Sequence, residues 1–311
     1  MTKNTPTVSV IIPTYNRSVL LPRSIRSVLN QTFQDFELIV VDDGSTDNTE
    51  EVVRGFEDKR IRYIQHEENK GGSAARNTGV KVAQGEYIAL LDDDDEWLPE
   101  KLERQINKFQ ELSSDFGVVY SGFSFVYEKS GEVVSSHVPA FRGNVYDRII
   151  KSCILGGSTP LIKKFCFQKA GLFDESLPSC QDWDICIRIS KYYNFDFVPD
   201  ALMRHYAHGT QISVDLSAKI RAREKLIEKY SVELYQKPRI LSALLTRLGI
   251  LYALSEDYIK ARKYFFASIK KEPFRRNNYI HLFLSILLPQ VHKAILKRYF
   301  IKNINGIEFY Y

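Results

Sequence analysis

The sequence predicts an α/β fold in which a helix-flanked sheet turns from parallel to mixed and is followed by a helical extension. Three observations lead there. Residues 1–115 alternate short apolar runs with amphipathic stretches, the segments after Phe116 read as hairpin material, and the chain beyond about Ser217 is almost wholly helical in pattern. With 311 residues, 44% of them hydrophobic, the chain can bury one sizeable core and carry an appendage, or form two domains.

The first strand candidates are Val8–Pro13, Glu37–Val41, Ile61–Gln65 and Tyr87–Leu91. Each is short, rich in Val, Ile or Leu, and apolar on both faces, as buried parallel strands are. Helices are expected between them. Leu20–Leu29 sets Leu21, Ile25, Val28 and Leu29 on one stripe, Thr49–Phe56 follows a Gly-Ser-Thr-Asp turn, and Ser73–Ala83 follows Gly71-Gly72. Leu98–Leu112 carries Pro99 in its first turn, where proline is tolerated. Val118–Ser121, Phe123–Glu128 and Glu132–His137 read as strands, the last two joined across Lys129-Ser130-Gly131, so the sheet should become mixed. A helix over Asp182–Tyr193 and short strands at Phe195–Val198 and Met203–Tyr206 complete residues 1–217 as one domain. Residues 218–311 form the extension, with helices at Lys219–Tyr230, Arg239–Ser255, Tyr258–Lys271 and Tyr279–Leu288. Within it Leu244–Ile269 has the packing pattern of one tetratricopeptide-type helix pair, too little for a solenoid of its own.

The net charge of +5 is uneven: 19 Lys and Arg stand against 7 Asp and Glu from Lys219 onward, whereas residues 1–218 hold 24 basic and 31 acidic residues. An acidic front and a basic tail point to separate tasks. Met1–Thr7 leads into an apolar run too short for a secretory leader, and no stretch reaches the ~20 apolar residues of a membrane-spanning helix. The expected location is therefore the cytoplasm, or peripheral on a membrane face exposed to it. Cys153, Cys166, Cys180 and Cys186 lack zinc-ligand spacing and read as reduced thiols. No recognised nucleic-acid module accompanies the basic tail.

In open α/β sheets, ligands bind beyond the carboxyl ends of the strands. Two acidic clusters fall there, Asp42-Asp43 after Glu37–Val41 and Asp92-Asp93-Asp94-Asp95 after Tyr87–Leu91. Four consecutive carboxylates repel one another, and an oxygen-only donor set suits a hard cation such as Mg²⁺ or Mn²⁺. The plainer reading is a solvated acidic helix start. The opening strand is followed by Pro-Thr-Tyr-Asn-Arg, not Gly-x-Gly-x-x-Gly, which argues against a dinucleotide-dependent oxidoreductase. The Gly-x-x-x-x-Gly-Lys of a P-loop phosphotransferase is also missing.

Five stretches in order, Val8–Arg17, Val40–Asp47, Gly71–Asn77, Leu90–Pro99, and Gly171-Leu-Phe-Asp with Cys180-Gln-Asp-Trp-Asp184, resemble glycosyltransferase family 2 over residues 7–213. The resemblance implies a GT-A-type, Rossmann-like mixed sheet and inverting, metal-dependent hexosyl transfer from a UDP- or GDP-sugar. It implies that Pro13, Thr14 and Tyr15 lie beneath the nucleobase, with the Tyr15 ring available for stacking. Asp43 would meet the base or ribose, Asp42 would orient the loop, and Arg76 would approach the phosphates. In the family's Asp-x-Asp motif the first acid reaches the ribose and the later one holds Mn²⁺ or Mg²⁺. Here Asp92 and Asp93 fall to the donor side and Asp94 or Asp95 to the metal, with His208 placed to reach the diphosphate or metal. Asp182 stands where the family has its general base, although an aspartate at a helix start also caps it. Asp184 is a second choice, Trp183 either a sugar wall or core, and His205 an ordinary strand residue. The acceptor implied is a glycan or polyprenyl-linked precursor of cell-surface polysaccharide or protein glycosylation, with peripheral membrane contact through the basic tail. The competing reading is a non-catalytic nucleotide-sugar-binding protein that recruits partners through its helical tail.

Overall fold

A computed structural model describes residues 5–128, 130–207 and 215–304. Strands β1 (Val8–Thr14), β2 (Phe36–Asp42), β3 (Ile61–Gln65) and β4 (Tyr87–Leu90) pair in parallel in the order β3-β2-β1-β4. Alternate residues enter opposite cores. Ile11, Ile39 and Ile88 pack with α3 (Gly72–Val82), while Val10, Ile12 and Val40 pack with α1 (Leu21–Leu29) and α2 (Thr49–Arg54). Both faces are covered, which is why these strands read as continuous apolar runs.

The acidic run ends in a short strand that the sequence reading placed before a helix. β5 (Asp95–Trp97) lies at the far edge of the sheet, and α4 (Lys101–Gln110) begins only after it. The two strands expected either side of Gly122 are one, β6 (Phe116–Tyr127). A Cβ at Gly122 would collide with the His137 carbonyl oxygen of β7 (Val133–His137), so glycine lets the strand bulge without breaking. The hairpin between β6 and β7 forms as predicted. Helix α5 (Tyr146–Lys151) and the three-residue β8 (Leu161–Lys163) carry too little pattern to be legible. β8 runs antiparallel to both β4 and β6 and makes the sheet mixed. α6 (Cys166–Ala170) leads to α7 (Gln181–Ser190), which ends earlier than predicted.

The last two predicted strands also merge, into β9 (Asn194–Ala207). It pairs in parallel with β6 along its length, the register shifts across Pro199 where a backbone donor is missing, and its second half also pairs antiparallel with β5.

Among the described residues six helices follow: α8 (Leu216–Lys229), α9 (Ser231–Tyr235), α10 (Pro238–Leu254), α11 (Tyr258–Lys271), α12 (Arg276–Leu287) and α13 (Pro289–Ile304). Leu226, Tyr230, Leu241 and Leu244 join the same core as α5 and α7. Leu248, Tyr252, Ala261 and Phe265 form a further core between α10 and α11. A Cβ at Gly249 would stand 2.6 Å from the Phe265 ring, so close approach of the two helices depends on that glycine.

Candidate active site

The carboxyl ends of β1, β2 and β4 open onto one edge, and the side chains collected there come from loops the sheet holds in register. Pro13 lies in a central strand, but β4 ends opposite Ile11, so proline's missing donor costs no ladder bond to it. Past β1, Asn16 takes a left-handed conformation (φ 52°). It accepts from the Thr46 amide at 2.8 Å, and its own amide donates to Ser45 Oγ at 2.8 Å. These bonds fasten the loop carrying Tyr15, whose ring is 42% exposed, to the loop carrying Asp42 and Asp43.

Asp42 is buried and accepts from the Ser45 amide (2.8 Å) and the Tyr63 hydroxyl (2.6 Å). Asp43, also buried, accepts from the amides of Lys70 (3.0 Å) and Gly71 (2.7 Å) and pairs with His66 Nδ1 at 2.7 Å. Both acids therefore shape the loops around the opening, and Asp43 holds the left-handed Gly71 that starts α3.

The four acids divide their tasks. Asp95 is almost wholly buried, with one oxygen receiving the Ser158 hydroxyl at 2.6 Å and the other His205 Nδ1 at 2.8 Å. Burial works against the charge on His205, but the Asp95 carboxylate overrides it and raises the imidazole to about 9. Burial raises the Asp95 carboxyl above the usual carboxylate range, and the charge and hydrogen bond of His205 oppose that shift. Ser158 also receives the Asp92 amide (3.0 Å), and its carbonyl accepts from the Trp97 indole at 2.8 Å. Ser24 Oγ and Arg23 hold the backbone carbonyls of Asp95 and Asp94, each at 2.7 Å. Asp95 and Trp97 therefore pin the run, and both carboxylate oxygens of Asp95 are taken by protein partners. His205, read as an ordinary strand residue, is the counter-charge.

Asp93 accepts from Thr14 Oγ1 at 2.7 Å, and burial followed by the charge of Asp94 pushes its carboxyl up to about 7. Asp94 lies 3.6 Å from the Arg17 guanidinium. Among the described residues no three His, Cys, Asp or Glu side chains converge into a ready-made cage. Asp94 beside Asp93 fits a cation held by one or two carboxylates and completed by phosphate oxygens, the usual Mg²⁺ arrangement. His208 lies outside the described residues.

Arg76 of α3 donates to Asp92 at 2.6 Å. Burial opposes its charge, yet Asp92, Asp182 and Asp93 raise its affinity for the proton. Asp182 opens α7 across the gap. A Cβ built on Gly157 would lie 3.4 Å from Asp182 Oδ2 and 3.5 Å from Asp92 Oδ2, so the two carboxylates flank one point above that glycine. Burial first, then the charge of Asp92, raises Asp182 above the usual carboxylate range, with Arg76 pulling the other way. No side-chain cap bond marks the start of α7.

Asp184 is excluded as base by its partners. It is fully buried and bonds Arg188 (2.7 Å), Lys229 (2.9 Å) and the Tyr230 hydroxyl (2.7 Å). Trp183 is core, its indole donating to the Ile149 carbonyl at 2.6 Å. Lys229 also pairs with Asp174 at 2.7 Å, and Lys225 donates to the Ser176 carbonyl at 2.6 Å. Helix α8 and the residue after it thus fasten the segment that presents Asp182. Sequence reasoning missed Gly157, Ser158 and this clamp, because a lone glycine or serine in a loop carries no pattern.

The glycosyl transferase family 2 model matches residues 9–173. The glycosyltransferase RC0461 of Rickettsia conorii is 33% identical over 288 residues, covering 89% of this chain and 45% of its own length. The Escherichia coli UDP-Glc:α-D-GlcNAc-diphosphoundecaprenol β-1,3-glucosyltransferase WfgD is 38% identical over 157 residues, 50% of this chain and 60% of WfgD. The chain spans only 36%, 45% and 26% of the rickettsial relatives from R. felis, R. conorii and R. bellii. The structure of Staphylococcus aureus TarS 1–349 in complex with UDP-GlcNAc superposes with a TM-score of 0.65 at 21% identity, covering 96% of this chain and 92% of that one. That likeness is one of fold, the GT-A-type mixed sheet flanked by helices.

Gly157→Ala places its methyl in ordinary contact with both carboxylates, so stability should stay within ~0.5 kcal/mol of wild type. Donor turnover should fall by roughly 10²-fold because the gap is filled; unfolding curves and nucleotide release check both. His205→Ala strips a buried carboxylate of its counter-charge and should cost about 3 kcal/mol in urea unfolding at pH 7. The pair's contribution is complete below the ordinary histidine pKa and is lost as pH rises through about 9. The wild-type advantage over the variant should therefore narrow above that pH.

Proposed function

The chain belongs to glycosyltransferase family 2, and from that premise we propose that it transfers a hexose, with inversion, from a UDP- or GDP-sugar to an acceptor hydroxyl. The observation that carries this reading is the convergence of Arg76, Asp92 and Asp182 around Gly157, next to the run that contains Asp94. Residues 1–217 carry the chemistry, and residues 218–311 form a basic extension.

Tyr15 offers its exposed ring to the nucleobase, and Asp92 and Asp93 face the ribose and phosphates. Arg76 is charged and half-buried beside Asp92, where it can turn to a phosphate oxygen of the donor. Asp94 is the ligand assigned to Mn²⁺ or Mg²⁺, which when bound acts as a Lewis acid toward the departing diphosphate. Asp182 takes the proton of the acceptor hydroxyl as that oxygen bonds to the anomeric carbon. The bond from that carbon to the phosphate oxygen breaks, and its electron pair leaves with the nucleoside diphosphate. A raised pKa makes Asp182 a stronger base than an ordinary carboxylate, provided the pH keeps it ionised.

The acceptor in this reading is a glycan or polyprenyl-linked precursor in cell-surface polysaccharide or protein glycosylation. A lipid-borne acceptor brings with it peripheral attachment to the cytoplasmic membrane face through the basic tail.

Asp182→Asn separates binding from chemistry. Burial makes the Asp182 charge unfavourable, so the folded state binds its proton more tightly than the unfolded chain and stability is lost as pH rises past the ordinary carboxylate range. At pH 7 the variant should be at least as stable as wild type. It should retain nucleotide affinity while losing roughly 10³-fold or more in donor turnover. The acid limb of the wild-type pH–rate profile should lie above the ordinary aspartate value. Near-normal turnover in the variant would rule out the assigned base.

A further inference from the structure

Among the described residues, nine exposed large hydrophobic side chains fall within residues 274–295. Helix α12 is packed the reverse of an ordinary surface helix. Its buried residues are the polar Asn278 and Ser285. Asn278 bonds with Thr246 (2.8 Å) and Ser242 (3.1 Å), and the Ser285 carbonyl accepts from Arg262 at 2.6 Å. Its outer side exposes Ile280, Phe283 and Leu287, one stripe at helical spacing, with Ile286 beside them, and α13 adds Val291 and Ile295. A polar side turned inward and an apolar side turned outward are unfavourable in water unless something apolar covers the outside.

Charge identifies what covers it. Residues 275–304 contain six Lys or Arg and no Asp or Glu. A second copy meeting the same surface would bring two like-charged faces together, which opposes a two-fold interface. An anionic surface with an apolar interior satisfies both properties. No helix among the described residues is long and apolar enough to cross a membrane, so the segment would lie on the bilayer.

We propose that the outer face of α12 and α13 is a docking surface for an anionic phospholipid bilayer, with Phe283 and Leu287 at its apolar centre and Arg276, Lys297 and Arg298 meeting the headgroups. This deepens the reading of a lipid-borne acceptor by naming the surface that would carry the enzyme to it. Its test needs neither donor nor acceptor, so it stands or falls separately from transfer.

The experiment is flotation of the full chain with phosphatidylcholine vesicles and with phosphatidylglycerol–phosphatidylcholine vesicles, at low and high salt. Wild type should float with the anionic vesicles at low salt, bind them at least about tenfold more weakly at high salt, and stay behind with neutral ones. Phe283→Glu combined with Leu287→Glu changes side chains that are 56% and 59% exposed, so the fold should survive, as circular dichroism and the urea unfolding transition would verify. That variant should lose flotation. Failure of wild type to float, equal binding to neutral vesicles, or a wild-type dimer that the double variant makes monomeric without any vesicle binding would each overturn the proposal.

Discussion

Four carboxylates in succession at the end of a buried strand are the constraint around which the rest of this molecule is arranged. Their mutual repulsion has to be answered by counter-charges and donors brought from elsewhere in the chain. His205 and Ser158 take the carboxylate of Asp95, Arg76 takes Asp92, Thr14 donates to Asp93, and Arg17 stands near Asp94. These partners come from β9, the loop before β8, α3 and the end of β1, so folding of the whole sheet is needed to assemble them. The far-edge strand β5 exists because Asp95 and Trp97 are anchored while the preceding acids face the opening.

A second arrangement presents the proposed base. Asp182 begins a helix whose next acid, Asp184, is consumed by Arg188, Lys229 and Tyr230. The same two-residue spacing thus gives one carboxylate turned toward the gap above Gly157 and one turned into the protein. Because Lys229 ends α8 and Tyr230 follows it, the helical extension takes part in holding the helix that begins with Gln181 and Asp182. Its distal face, with α12 turned apolar side out, is free of that duty.

The parallel half of the fold was legible because Val8–Ile12, Leu38–Val41 and Ile88–Leu90 are apolar on both faces and their loops carry the punctuation of β-α-β units. The mixed half was less so. β5 is made of Asp-Glu-Trp and β8 of Leu-Ile-Lys, three residues each, and both owe their conformation to partners distant in sequence. Gly122 and Pro199 looked like breaks, but they mark a bulge and a register shift inside long strands. At the site, the acids and Arg76 were readable as motifs. The assignment of Asp95 was not, since nothing local to it announces His205, 110 residues away.

Under the proposed function Asp94 holds the cation, whereas both carboxylate oxygens of Asp95 are bonded within the protein, to Ser158 and His205. Calorimetric titration of wild type, Asp94→Asn and Asp95→Asn with UDP and with GDP, each with and without Mn²⁺, tests it most directly. Wild type should bind one nucleotide in a metal-dependent way. The metal dependence should vanish in Asp94→Asn with unfolding stability kept, whereas Asp95→Asn should lower stability first. Metal-dependent affinity that persists unchanged in Asp94→Asn, or is lost in Asp95→Asn without loss of stability, would contradict it.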